Sequence, residues 1–210
     1  MKAIHALAIS TAIIAATVVL SPLLPSVDFP QHVASAELLR RLWFAPSEVQ
    51  GGDVVFNPAT HNAGVQLFAA ALGQLIGVHL AARVFFALAL VLQVFGLAHL
   101  AESLGLPRER ALVIVPVLLG FSMVWGLANF AMGTGLSLLA LGIMVSQIDK
   151  PSTRLVWLPI LSLLVSLTHV MTMLLLAIFA AGLGIERAIR ARGDLRLWAR
   201  TAGVGALLLP

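Results

Sequence analysis

Apolar positions come in long unbroken runs along this chain, divided by short clusters of charge. A membrane-crossing helix needs about 20 mostly apolar residues, because each adds about 1.5 Å against a hydrocarbon core of about 30 Å. The first run, Ala3–Leu24 behind Lys2, predicts a retained span with its N-terminus on the cytoplasmic side. Pro22 and Pro25 stand where a signal-peptide cleavage site would fall, which argues against removal. Asn62–Leu80 and Val84–Ala101 predict two more spans, with Arg83 between them. Ala69, Gly73, Gly77 and Ala81 recur every fourth residue as a small-residue ridge that lets helix backbones approach in lipid.

From Ala111 to Ile148 no residue is charged. As one helix that run would be about 57 Å long, so it is expected to fold back as a hairpin. The glycines of Gly126–Gly135 mark the turn, with Asn129 near the tip. The next uncharged run, Leu155–Ile185, would be about 46 Å long, either one tilted helix or two half-helices meeting near Thr168 and His169. Arg187, Arg190, Arg192, Arg196 and Arg200 follow. Basic clusters mark the cytoplasmic side, and six crossings return this one there, which favours one net crossing for Leu155–Ile185. In that scheme Arg108, Arg110, Lys150 and Arg154 lie outside. Thr201–Leu209 opens a seventh helix, as though the chain were the first part of a longer protein. The fold expected is an all-α polytopic transmembrane bundle, residues 1–210 forming one domain of about six spans and the start of a seventh.

One stretch, 25–61, is neither span nor short turn, and is expected to be external. Asp28-Phe-Pro30 is a helix start signal, with proline in the first turn. Gln31–Phe44 then places Leu38, Leu39, Leu42 and Trp43 on one face and His32, Glu37, Arg40 and Arg41 toward the other, the pattern of a helix lying in the membrane interface. Glu37 and Arg41 stand four apart in the favourable order.

Composition agrees with the runs and then narrows the search. The chain is 60% hydrophobic and 10% charged, with a mean hydropathy of +1.02. A soluble domain carries about 25% charged residues, so soluble enzymes and nucleic-acid binders are excluded. There is no cysteine, which removes disulfides, thiol nucleophiles and cysteine zinc sites. Of nine acids, Asp28, Glu37, Glu48 and Asp53 lie in the external loop. Asp28 and His32, one helical turn apart, can act as a general base, bind a cation or hold a phosphate; Asp28 serving only as a helix cap is the structural alternative. His61 opens the second span, as an interfacial residue or a ligand. His169 lies within an apolar run, as a pocket residue or as an imidazole bonded to a neighbouring helix carbonyl. Asn129 is a turn residue, an inter-helix bond or a substrate contact, and Gln74, Gln93 and Gln147 are expected to bond between helices. No phosphate-binding glycine loop, zinc-protease motif or nucleophile elbow occurs.

The order of a first helix, Asp28-Phe-Pro-Gln-His32 before an amphipathic helix, Trp125-Gly-Leu-Ala-Asn-Phe130 with Gly133, and Leu167-Thr-His169 resembles bacterial multi-spanning proteins related to the GT-C glycosyltransferase superfamily. The resemblance implies the N-terminal portion of an inner-membrane enzyme that transfers a sugar from a polyprenyl-phosphate donor on the external face. It implies that Asp28 matches the acid of the first external loop, which in the family works as catalytic base or beside a divalent cation. Many members carry two adjacent acids there, whereas Phe29 follows Asp28 here. His32, Arg40, Arg41, His61, Asn129 and His169 are the candidate substrate contacts. A transporter, a non-catalytic membrane assembly subunit or an inactive fragment are the alternatives.

Overall fold

The computed structural model describes residues 2–21, 27–49, 62–118, 125, 127–149, 152–191 and 195–208. Among them there are nine α-helices and no strand: α1 (Lys2–Leu20), α2 (Phe29–Phe44), α3 (Gly64–Ile76), α4 (Val78–Ser103), α5 (Val115–Leu118), α6 (Ala128–Asp149), α7 (Trp157–Thr168), α8 (Val170–Ala191) and α9 (Leu195–Ala206). Among the described residues three stretches are long and apolar enough to cross a membrane: Val78–Ser103, Ala128–Ile148 and Val170–Arg187. Hydroxyls within the apolar helices bond back to their own helix, as Thr11 of α1 to the Leu7 carbonyl (2.7 Å) and Thr134 of α6 to that of Phe130 (2.8 Å). A membrane interior supplies no water to do so.

The centre of the bundle is the contact between α4 and α6. A methyl group added at Gly96 would lie 2.6 Å from the Gly135 carbonyl oxygen, and one at Gly135 would lie 2.8 Å from the Gln93 nitrogen. Further along, Gly142 faces His99 and Leu100. The pairings 93 with 135 and 99 with 142 rise together, so α4 and α6 run side by side in the same sense. Phe86 and Leu90 of α4 and Met144 and Ile148 of α6 are fully buried around this seam.

Of the turn expected over Gly126–Gly135, Gly126 lies outside the described residues, and from Ala128 onward the chain is already helical. Helix α6 begins at Ala128 and contains both Gly133 and Gly135, which serve close packing instead of a bend. Around the second and third spans the boundary also moves. Helix α3 has 13 residues, about 20 Å, short of a bilayer core. The chain reverses at Gly77, whose φ of 80° suits glycine, and this seats Val78 against Gly73 and the Phe68 ring 5.4 Å from that of Phe85. Arg83 is not in the connection but inside α4, where its Nη1 donates to the Val19 carbonyl at 3.4 Å. Of the expected small-residue ridge, Ala69, Gly73 and Ala81 are buried, whereas Gly77 is exposed at the turn.

The Leu155–Ile185 run is broken at His169. Ser162 Oγ lies 3.8 Å from Met173 Sδ, although eleven residues of one straight helix would separate them by about 16 Å. Helices α7 and α8 thus fold back on each other, and the single net crossing expected for this run is replaced by a hairpin. Gln93 bonds weakly to its own helix at the Ala89 carbonyl, and Gln147 accepts from Ser152 N–H and Oγ, so neither bridges helices as expected; Gln74 is exposed.

Because α4, α6 and α8 run one way and α1 and α7 the other, the bundle has two unlike ends. Arg108 and Arg110 follow the finish of α4, Arg154 follows that of α6, and Arg187 and Arg190 lie in the last two turns of α8, all at the end where α1 starts. This differs from the expectation that put Arg108, Arg110 and Arg154 opposite the N-terminus, and the short α3 is the reason. Replacing Gly135 by alanine is expected to destabilise the protein by about 1–3 kcal/mol. Gly182, with open space around it, should tolerate the same change or gain up to about 1 kcal/mol. Thermal unfolding of the two variants in detergent checks this contrast.

Candidate functional site

The end opposite the arginines gathers polar residues from four separate segments around the first turn of α3. Helix N-termini leave backbone amides without an intrahelical acceptor, and here Ala63 occupies the N-cap position, where it has no side-chain acceptor to offer. Asn129, from the first turn of α6, supplies one instead. Its Oδ1 accepts from the Val65 N–H at 2.8 Å, and its Nδ2 donates to the Asn62 carbonyl at 2.6 Å. Asn62 itself has a φ of 72°, a conformation asparagine tolerates better than most residues. The Ala63 N–H donates to the Leu167 carbonyl at 3.2 Å, which ties the same turn to the end of α7. Space here is tight: a methyl group on Gly64 would lie 2.9 Å from Asn129 Oδ1 and 3.0 Å from Thr168 Cγ2.

His169 forms the corner between α7 and α8. Its backbone is extended (φ −161°, ψ 124°), its N–H donates to the Val165 carbonyl, and its carbonyl accepts from Thr172 and Met173. The Met171 N–H donates to Nδ1 at 3.2 Å, so the imidazole caps the first turn of α8. That bond requires Nδ1 to carry no proton. The ring stands edge to face with Phe130 at 5.4 Å. His169 is thus a capping residue at a hairpin tip, neither embedded mid-helix nor bonded to a neighbouring helix carbonyl.

On the other side of α3, Gln66 Nε2 and His32 Nδ1 lie 3.2 Å apart, which joins α2 to the residue next to Val65. Asp28 occupies the N-cap position of α2, yet its side chain makes no capping bond; only its carbonyl takes part, accepting from His32 N–H at 3.0 Å. The end of α2 is anchored by its neighbour. Phe29 is buried edge to face against His79 (5.1 Å) and Phe86 (5.6 Å) of α4.

The packed face of α2 differs from the one expected. Phe29, Ala36 and Leu39 are buried, whereas Leu38 and Trp43 are exposed together with Phe44. The helix therefore has one apolar stripe against α3 and α4 and a second facing out, as a helix in a membrane interface requires. Arg40 and Arg41 are both engaged by Glu37, at 2.7 Å from Arg40 Nη2 and 2.8 Å from Arg41 Nε. These bonds, Arg40's foremost and against the opposing effect of burial, hold the Glu37 carboxyl at about 2. The two arginines stand twelve and thirteen residues beyond Asp28, about 18–20 Å along the helix, too far to share one phosphate with it.

The structure thus brings together His32, Asn129 and His169 around α3, keeps Asp28 at the adjoining end of α2, and separates Arg40 and Arg41 from them. His61 and Asp53 lie outside the described residues. Among the described residues no three His, Asp or Glu side chains assemble as a cation site, and no step below is routed through a metal. Asn62, Gln66 and Thr168 are parts of this junction that sequence reasoning passed over. The only hint was that Asn62 and Gln66, four apart, open an apolar run. Truncating Asn129 to alanine would strand the Val65 N–H and the Asn62 carbonyl, and is expected to lower stability by about 1–3 kcal/mol. Thermal unfolding measures this, and substitution of the exposed Gln74 by alanine provides the unaffected comparison.

The chain matches no family model, no curated protein and no solved structure.

Proposed function

We propose that this helical membrane protein transfers a sugar from a polyprenyl-phosphate donor at the external face of the inner membrane, with Asp28 as the base. The observation that carries the reading is the state of Asp28. Among the described residues the carboxylate sits at a helix N-cap without capping it, and Phe29 anchors the helix end in its place. In the proposed step the Asp28 carboxylate takes the proton of an acceptor hydroxyl. The hydroxyl oxygen attacks the anomeric carbon, and the bond from that carbon to the phosphate oxygen breaks with its electron pair going to the phosphate. His32, one turn along, is the nearest group able to bond the leaving phosphate.

The charge distribution supports the side assignment. With Arg108, Arg110, Arg154, Arg187 and Arg190 at the end where α1 begins, the basic-side rule makes that end cytoplasmic and the Asp28 end external. The outward apolar stripe of α2, Leu38, Trp43 and Phe44, suits a helix that meets lipid beside the acid. A transporter built on a discontinuous crossing helix would have α7 and α8 end to end around His169; their side-by-side packing gives that alternative less support.

Asp28→Asn keeps the size and the helix and removes the base. In membranes carrying the full chain and a radiolabelled polyprenyl-phosphate sugar, transfer is expected to fall at least about 100-fold. Unchanged transfer by Asp28→Asn would refute the assignment.

A further inference from the structure

The basic end holds a cleft that the proposed transfer step does not use. A cavity of about 330 Å³ opens between α1 and α4, within the range of about 300–1,000 Å³ usual for small-molecule sites. Leu7 and Ala8 of α1 face Phe95 and Ala98 of α4 across it, and these walls are apolar. The rim is not. His99, Glu102 and Arg108 line it, and Arg154 lies within electrostatic reach of His99 and Glu102. Arg108 and Glu102 form an ion pair with both side chains about half exposed. The contact uses Nη2 of Arg108, one corner of a guanidinium that carries five N–H donors.

Counted together, Arg108 and Arg154 outweigh Glu102 by one positive charge. An apolar slot between helices, closed at one end by an excess of guanidinium, complements a molecule with an acyl chain and a singly charged phosphodiester. A small soluble anion would have no use for the walls. The outward side of α1 is itself apolar, with Ile9 and Ile13 exposed, so the slot is flanked by a surface that belongs in lipid. Basic pockets between membrane helices on the cytoplasmic side are sites of this kind.

We infer that the cleft between α1 and α4 is a specific binding site for an anionic phospholipid of the cytoplasmic leaflet, its phosphate on Arg108 and one acyl chain along Leu7, Ala8, Phe95 and Ala98. The site is independent of the transfer reaction and would stand if that reading failed.

The test is native mass spectrometry of the purified full chain titrated with phosphatidylglycerol or phosphatidylcholine. Phosphatidylglycerol is expected to bind about tenfold more tightly. Arg108→Gln removes the phosphate contact and Ala8→Phe, at an exposed position, fills the slot; each should weaken phosphatidylglycerol binding by about tenfold. Arg110→Gln removes the same charge two residues away and should change it less than about twofold. Equal binding of the two lipids, undiminished phosphatidylglycerol binding in either Arg108→Gln or Ala8→Phe, or an equal loss with Arg110→Gln would overturn the proposal.

Discussion

The arrangement rests on the backbone contact between α4 and α6, where Gly96, Gly135 and Gly142 leave no room for a β-carbon. In lipid there is no hydrophobic gain in bringing apolar helices together, so close van der Waals packing between small residues has to supply the attraction. This contact also fixes direction. Helices that lie side by side in the same sense require the chain to travel back between them. The charged segments after α4 and after α6 consequently arrive at one end of the bundle, and the first turns of both helices at the other.

At that other end, structure and candidate chemistry depend on the same few groups. A short helix that starts at Gly64 has buried amides and no capping side chain of its own, because Ala63 precedes it. Asn129 meets the need from the start of α6 by donating with one half of its amide and accepting with the other. The Leu167 carbonyl at the end of α7 and the bond between His32 and Gln66 then brace α3 from two further sides. Asp28 differs from all of these. It stands beside a braced junction, and among the described residues its carboxylate makes no capping bond there.

Much of this was readable beforehand. The apolar runs predicted membrane helices, and Asp28-Phe-Pro30 marked the start of α2 within a residue. The failures have physical causes. Glycines within 126–135 read equally well as a turn or as a close-packing surface, and only the position of α4 decides between them. Arg83 read as a loop residue because the carbonyl of Val19, 64 residues earlier, is invisible to local pattern. The cap that Asn129 provides has the same sequence separation, so residue 129 carried a polar signal without a direction. A 19-residue span was drawn where the chain turns at Gly77, and that one displaced boundary reversed the side assigned to Arg108 and Arg154. Chain order places Asp28 near Arg40 and Arg41, but the helix between them sets the two arginines about 18–20 Å from the acid.

Helices α4, α6 and α8 share one direction, and this sets the arginine end apart from the Asp28 end. The chain contains no native cysteine, so single substitutions report position directly. Ser35→Cys, Glu109→Cys and Ser152→Cys, all at exposed positions, can be labelled with a membrane-impermeant maleimide in sealed cells and again after permeabilisation. The structure predicts that Glu109→Cys and Ser152→Cys react together, on the side opposite to Ser35→Cys. Labelling of Glu109→Cys or Ser152→Cys from the same side as Ser35→Cys would contradict it.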